Sequence, residues 1–204
     1  MKKLIALVLA ALMLCTVSLA FAGILEPTGK LAGATVNATV GDYDEETKTF
    51  IVTLYEYDRY DEAEIAKLAV GDTIVAGGQL HTIKGTEDVN GTLYYLCDDG
   101  EEICFGTAYD DLEGLIARSS MDDRIFMHVM TVLQLPAAEG IVYEDNSNPD
   151  LDAEMVIIEG LEDILKAKAE AEETSNGFDG YATKITLNEQ MEIVKIHRDF
   201  DVAQ

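Results

Sequence analysis

The stretch TIVAGGQLHTIKGTEDVNGTLYYLCDDGEEICFGT, residues 73–107, decides the fold class of this chain. Short runs of β-branched and aromatic residues alternate in it with turn signals at Gly77-Gly78, Asn90-Gly91 and Asp98–Glu101. Asn and Gly tolerate the positive φ angles of tight hairpin turns, so these signals predict reversals between antiparallel strands. Turns every 8–12 residues or so are typical of sandwiches and small barrels. Four strands are predicted here, at 73–76, 79–84, 92–97 and 102–107.

A further hairpin is predicted on the N-terminal side of this stretch. Apolar and polar residues alternate over 34–40, which is the period of a half-buried strand. An acidic turn at 44–47 then leads into a return strand over 48–57. Asp61 is expected to cap a short helix over about 61–68, because its carboxylate can accept hydrogen bonds from the first-turn amides.

The C-terminal side mixes strands with the strongest helix signal of the chain. Residues 124–135 carry apolar side chains on both faces, which predicts a strand covered on both sides and ended by Pro136. A short buried strand is expected at 155–158. Residues 160–175 have one apolar stripe and charged neighbours four residues apart, as in a surface helix. The chain closes with a predicted hairpin of strands at 181–187 and 192–200.

The expected fold class is therefore mainly β (α+β): an antiparallel sandwich or small barrel of short strands and hairpins, with two helices. Residues 23–204 are expected to form a single globular domain. A sub-division near residue 109 would separate an all-β half, 23–109, from a β-plus-helix half, 110–204. Within the second half, residues 110–123 fit either a short helix or a loop.

The first 22 residues have the pattern of a secretory signal peptide. Lys2-Lys3 is followed by an almost unbroken apolar run from Leu4 to Leu19, and Ala20-Phe21-Ala22 supplies the small residues of a cleavage site. Gly23 is the expected first residue of a secreted or envelope-bound bacterial protein. Cys15 follows a leucine inside the apolar run, which disfavours lipid attachment. We expect no membrane insertion after cleavage, because no later apolar run approaches spanning length.

The composition is strongly acidic, with 39 Asp and Glu against 14 Lys and Arg and a formal net charge of −25. Nucleic acids and anionic membrane surfaces are excluded as expected partners, because both need clustered positive charge. Cations and basic partners would be attracted. The alternative interpretation is that the charge serves solubility alone.

Cys97 and Cys104 are the two cysteines after the leader, and they flank the turn at Asp98–Glu101. A two-residue turn centred on Gly100-Glu101 would place them opposite each other, which makes them a disulfide candidate in a secreted protein. A turn centred on Asp99-Gly100 would shift the register and separate the sulfurs. Two free core thiols are then the alternative, and a redox or metal role has no CxxC spacing to support it.

The acidic segment Asp145–Glu154 is the candidate calcium site, since Ca²⁺ binds hard oxygen ligands at alternating positions. The EF-hand pattern fails, because Pro149 and Asp150 occupy its fifth and sixth positions. A solvated acidic loop is therefore the alternative interpretation, and no other cofactor is expected. The candidate ligands are Asp145, Ser147, Asp150, Asp152 and Glu154.

His81, His128 and His197 all fall on predicted strands and none has a local metal-binding partner, so a zinc site would need all three to meet in the fold. His128 lies between Phe126 and Met130, which favours a hydrogen-bonded core histidine. The sequence has no nucleophile elbow, HExxH motif or phosphate-binding loop. Its acids are too numerous for a catalytic pair to be singled out.

Tyr55, Tyr57 and Tyr60 form the one aromatic cluster. Tyrosine among charged residues suits a binding surface, although packing beneath the adjacent helix explains the cluster as well. The expected function is a non-catalytic extracellular interaction or accessory module that binds a protein or a cell-surface ligand. A small secreted hydrolase with a carboxylate pair and a calcium-dependent surface protein are the alternatives.

Overall fold

The structure is a computed structural model of the chain, and it describes residues 21–22, 30–107, 113–148, 150, 154–174, 178 and 180–199. The predicted signal peptide lies outside the described residues, except for Phe21 and Ala22. The predicted fold class is confirmed, since curled, mainly antiparallel sheets and two helices make up this part of the chain. Neither helix is long and apolar enough to cross a membrane.

The strands and helices follow the chain in this order. The strands are β1 Phe21–Ala22, β2 Thr35–Asp44, β3 Thr49–Tyr57, β4 Arg59–Tyr60, β5 Thr73–Ala76, β6 Gln79–Val89, β7 Thr92–Cys97, β8 Glu102–Thr107, β9 Leu115–Ser119, β10 Met127–Asn146, β11 Val156–Glu159, β12 Thr183–Leu187 and β13 Ile193–Asp199. The helices are α1 Glu62–Ile65 and α2 Leu161–Thr174.

Six strands form a sheet that closes on itself, in the order β11-β10-β13-β12-β2-β3, with β3 pairing β10 again. The closure depends on the length of β10, whose residues 127–136 pair with β3 while residues 137–146 pair with β13. We call this part, together with α2, the barrel lobe. Its core is one apolar cluster that includes Phe50, Leu54, Tyr143, Ile164, Ile185 and Ile196.

Residues 59–126 form a second body inserted between β3 and β10, which we call the inserted lobe, and the two-residue strand β1 pairs with its edge. Its sheet order, β1-β5-β6-β7-β8-β9-β4, mostly follows the chain, because successive hairpins build it. Its separate core includes Tyr60, Ile74, Ile83, Tyr95, Ile103 and Phe126. The boundaries between the two cores therefore lie at Asp58 and just after Phe126, and not near residue 109. Whether the two cores belong to one domain or to two stays a prediction.

Local signals placed most elements correctly. Asn90 and Gly91 have φ angles of 55° and 87°, as a hairpin turn with both central residues left-handed requires. The Asp61 carboxylate caps α1 by accepting hydrogen bonds from the amides of Ala63 and Glu64, at 2.8 and 3.1 Å. The stretch left open between helix and loop contains strand β9 in its described part.

Strand β10 differs from its prediction, because it passes through Pro136 and continues to Asn146. Pro136 still pairs with Thr49 of β3, whereas Ala137 already pairs with Ile193 of β13. The proline therefore lies where the strand changes partner and the ladder is irregular. A residue without an N–H group is tolerated at such a position.

Two further expectations about burial are wrong. The face of β10 that carries Val129 and Val132 is open, with 55 % and 57 % of these residues exposed, so the strand is not covered on both sides. A bulge between Val129 and Thr131 brings the two valines to the same side. The strand expected to be buried at 155–158 is the exposed edge strand β11.

Candidate functional site

The predicted tyrosine cluster divides between the two lobes. Tyr60 is fully buried in the core of the inserted lobe, where its hydroxyl donates a hydrogen bond to the carbonyl of Val75. Burial raises the pKa of Tyr60 well above its ordinary value. Tyr60 is therefore a core residue that a partner cannot reach, whereas Tyr55 and Tyr57 are half-buried on the outward side of β3.

Tyr55 is held in place from two sides. Its hydroxyl lies 3.1 Å from Thr39 Oγ1 on the neighbouring strand β2. A Cβ atom at Gly180 would lie 2.5 Å from the Tyr55 ring, so only glycine fits against the ring there. Tyr181, the next residue, is 48 % exposed. These contacts fix the Tyr55 ring and leave an exposed tyrosine beside it.

The outward side of β3 and β10 forms a continuous surface, which we call the outer face. Val129 lies opposite Tyr55, Val132 opposite Thr53, and Gln134 opposite Ile51. Ile51 is 43 % exposed, which with the two valines gives three exposed aliphatic side chains on one sheet surface. The outward side of an antiparallel sheet usually presents polar residues to water, so these three side chains make the outer face a candidate interaction surface.

Asp58 is the only residue between β3 and β4, and it joins the lobes through both backbone and side chain. Its N–H donates to the carbonyl of Phe126 at 3.0 Å, and its carbonyl accepts from the Ala117 amide at 3.2 Å. Oδ2 accepts a 2.5 Å hydrogen bond from the Gly77 amide, and Oδ1 lies 2.7 Å from Nδ1 of His128. The Asp58 backbone thus contacts β9, and its fully buried carboxylate links the turn after β5 to β10.

Among the described carboxyl groups, Asp58 is the one whose pKa is raised. Burial raises this pKa, and the hydrogen bonds from Gly77 and His128 offset the effect only in part. Such a group is a candidate general acid when a substrate can reach it. Here both oxygens already accept hydrogen bonds and the side chain is fully buried, so the geometry supports a joint between lobes.

The sequence correctly favoured a hydrogen-bonded position for His128, but it did not identify Asp58 as the partner. The two residues are 70 positions apart, and only the pairing of β3 with β10 brings them together. The one sequence signal for this pairing is that an acid, Asp58, lies at the break between β3 and β4. The imidazole keeps 22 % of its side chain exposed, so His128 lies at the edge of the joint.

The other two histidines also pair with acids. His81 Nδ1 lies 2.7 Å from Asp99 and its Nε2 lies 3.1 Å from the carbonyl of Ala76. His197 lies 3.0 Å from both Glu144 and Asp199. The three histidines therefore occupy separate sites, each beside an acid. Among the described residues, no group of three or more His, Cys, Asp or Glu side chains could hold a metal ion.

The structure describes only part of the predicted calcium loop, and Asp152 lies outside the described residues. Asp145 accepts a 2.9 Å hydrogen bond from the Ser147 amide and lies 3.8 Å from Arg198. Burial alone would raise the pKa of Asp145, but hydrogen bonds from Ser147 and Tyr143 and the nearby Arg198 together lower it. The Asp150 amide donates a 3.0 Å hydrogen bond to Asn148 Oδ1. Calcium binding by this loop stays a prediction.

Cys97 and Cys104 are free thiols in the structure, and no disulfide joins them. Cys104 pairs with Tyr94, while the Cys97 amide bonds to the carbonyl of Glu101, so the sulfurs are not opposite each other. The loop of residues 98–100 is neither of the two predicted turns, but like the one centred on Asp99-Gly100 it separates the sulfurs. Cys97 is buried in the core of the inserted lobe, and burial raises its pKa to about 12.

Comparison with protein-family models, with curated proteins and with solved structures finds no match to this chain.

Proposed function

We propose that this chain is a secreted, non-catalytic binding module, and that its outer face binds a protein or a cell-surface ligand. The observation that carries the proposal is the exposure of Ile51, Val129 and Val132 on one sheet surface. The secreted location is supported only by the pattern of the first 22 residues. The binding role is supported by the chemistry and rigidity of the surface.

The composition of the outer face suits a partner that is itself partly apolar. Each exposed aliphatic side chain costs free energy in water, about 25 cal/mol for each Å² that a partner could cover. Thr53, Tyr55 and Gln134 lie among the aliphatic residues and supply hydrogen-bonding groups. A surface of this kind combines apolar contact with directional polar contacts, as in many protein interfaces.

The outer face is also preorganised. Tyr55 is fixed by Thr39 and by the close approach of Gly180, and the valines stand on the part of β10 that is paired with β3. A rigid surface loses little side-chain entropy when it binds, and that raises affinity at a given buried area. We therefore expect binding without rearrangement of the barrel lobe.

A peptide library displayed on phage can test the proposal without a known partner. The library is selected on residues 23–204, and enriched peptides are then measured against the double variant Val129→Lys and Val132→Lys. The matched control is Val70→Lys with Val89→Lys, because these valines are also exposed but lie in the inserted lobe. Both variants change the net charge equally, and thermal melts confirm that each is folded.

The expected result is that enriched peptides bind the outer-face variant at least about tenfold more weakly, equivalent to about 1.4 kcal/mol, and bind the control variant unchanged. Equal binding to both variants would contradict the outer face as the binding surface. A selection that enriches no peptide at all would contradict the binding role.

A further inference from the structure

A second surface lies at the open edge of the barrel sheet, between strand β11 and helix α2. A groove of about 420 Å³ runs between Ile157, Ile158 and Glu159 on the strand and Asp163, Lys166 and Ala167 on the helix. The helix residues lie three or four positions apart, so they share one side of α2. The groove is thus built by a strand edge on one wall and a helix face on the other.

Strand β11 is the last strand of its sheet. It pairs with β10 through the register Val142↔Glu159 to Asp145↔Val156, and no described strand pairs with its other edge. The backbone N–H and C=O groups on that edge are available to an added strand. Val156 and Ile157 are 55 % and 57 % exposed, so the edge also presents apolar side chains to a partner.

The residues around the groove are mostly acidic, and this charge favours a basic partner. Glu159 and Asp163 are exposed and form no ion pair with a described residue, and Glu170 lines the groove as well. Lys166 is the one base among the lining residues, and the whole chain has a net charge of −25. A second copy would bring the same acids to the same edge and would be repelled. A basic partner would be attracted.

We propose that the groove between β11 and α2 binds an extended peptide segment in which basic and apolar residues alternate, and that this segment adds to the sheet beside β11. Main-chain hydrogen bonds to the open edge supply affinity, as in other cases of strand addition. Glu159 and Asp163 select Lys or Arg side chains, and Ile157 contacts the apolar ones. This site is separate from the outer face and goes beyond the proposed function.

The first test measures fluorescence anisotropy with three labelled heptapeptides. The probe alternates lysine and valine, one control alternates glutamate and valine, and the other is the probe with N-methyl groups on every second amide. We expect the probe to bind and each control to bind at least about tenfold more weakly. An N-methylated peptide that binds as well as the probe would overturn strand addition.

The second test locates the bound probe with matched charge variants. Glu159→Lys with Asp163→Lys is expected to weaken binding about tenfold or more. Glu46→Lys with Glu87→Lys makes the same change in net charge at exposed positions elsewhere and is expected to leave binding nearly unchanged. Equal losses in both variants would mean non-specific charge attraction and would overturn the groove as the site.

Two further measurements keep the two surfaces distinguishable. The outer-face variant Val129→Lys with Val132→Lys should bind the probe normally, and a loss there would move the peptide to the outer face and overturn the groove. NMR on the unmodified protein should show the largest probe-induced amide shifts at residues 156–159. Shifts elsewhere without shifts at β11 would overturn the proposal even if a charge variant failed to fold.

Discussion

Each lobe has a small core between β-strands, but the strands of the two lobes pair in different ways. In the inserted lobe most neighbouring strands are also neighbours in sequence, from β5 to β9. In the barrel lobe β10 pairs with β3, 70 residues earlier, and with β13 near the C-terminus. Both lobes carry exposed aliphatic side chains on strands, but their positions differ. In the inserted lobe Leu80, Val89 and Leu93 lie within two residues of a hairpin turn. In the barrel lobe Ile51, Val129 and Val132 lie on one surface of two paired strands.

This difference is the reason why we propose binding surfaces on the barrel lobe and none on the inserted lobe. Turn residues are exposed wherever turns occur, so isolated apolar residues there need no functional explanation. Apolar residues in the middle of a strand surface have no such explanation. Asp58 connects the two units, so the comparison can be tested at each core and at the joint.

The largest effects are expected from matched truncations in the two cores. Ile103→Ala in the inserted lobe and Ile185→Ala in the barrel lobe each remove a fully buried side chain. Each should lower the free energy of unfolding by about 2–5 kcal/mol. If the lobes unfold as one unit, either change lowers a single melting transition measured by circular dichroism. Two transitions, each sensitive to one substitution, would show that the lobes unfold independently.

The next effect is expected at the joint. Asp58→Ala leaves the buried amide of Gly77 and the imidazole of His128 without their acceptor. The expected loss is about 2–3 kcal/mol of unfolding free energy, measured by urea denaturation. The control Asp42→Ala removes an exposed acid and should change stability by less than about 0.5 kcal/mol. Equal losses of unfolding free energy in the two variants would contradict the role of Asp58 as a joint between the lobes.

The contrast between the lobes also explains what the sequence could predict. The hairpins at Asn90-Gly91 and after Gly77-Gly78 depend on turn residues within a few positions, and both were predicted correctly. The continuation of β10 through Pro136 depends on partners far away in sequence, so the local rule that proline ends a strand gave the wrong answer. The bulge that exposes Val129 and Val132 has no local signal.

The candidate site was predictable in a similar, partial way. Alternation along β3 puts Tyr55 and Tyr57 on the face opposite the buried Phe50 and Leu54, and both are half-buried there. The same alternation could not show that Tyr60 follows a break in the strand at Asp58 and enters the other core. The pairing of Asp58 with His128 joins two strands across 70 residues, and no pattern within either segment encodes it.

A smaller effect is expected in the pH dependence of the joint. Because the pKa of Asp58 is raised in the folded state, its carboxylate costs stability above the folded pKa. That cost disappears as the pH falls from the folded pKa toward the ordinary value of 3.8. Asp58→Asn cannot titrate, so the melting temperature of the unmodified protein relative to this variant should increase between pH 7 and pH 4.

The groups that face Asp58 and the rest of the molecule set the controls for this measurement. His128 and His81 are the charged neighbours that favour the Asp58 carboxylate, and both remain in the variant. The lowered pKa values of Glu144 and Asp145 destabilise both proteins equally in acid and cancel in the difference. A relative melting temperature that falls toward pH 4 would mean that the pKa of Asp58 is lowered.

The smallest effect is expected from a reducing agent, which should leave the melting temperature unchanged. This measurement tests the register of the β7–β8 hairpin. Tyr95 and Ile103 are paired and buried on one side of the β7–β8 hairpin, so Cys97 shares their side and Cys104, opposite Tyr94, lies on the other. A disulfide between sulfurs on opposite sides of a sheet would break the ladder, and the geometry of the bond is strict. Residues 23–204 should therefore melt at the same temperature with and without dithiothreitol.

The reactivity of the two thiols is a second test of the same register. In denaturant both thiols should react with a thiol reagent. In the folded protein Cys97 should react slowly, because burial raises its pKa to about 12. A lower melting temperature after reduction would establish the alternative turn centred on Gly100-Glu101, and would show that local turn chemistry misassigned the hairpin in the very lobe where it predicts best.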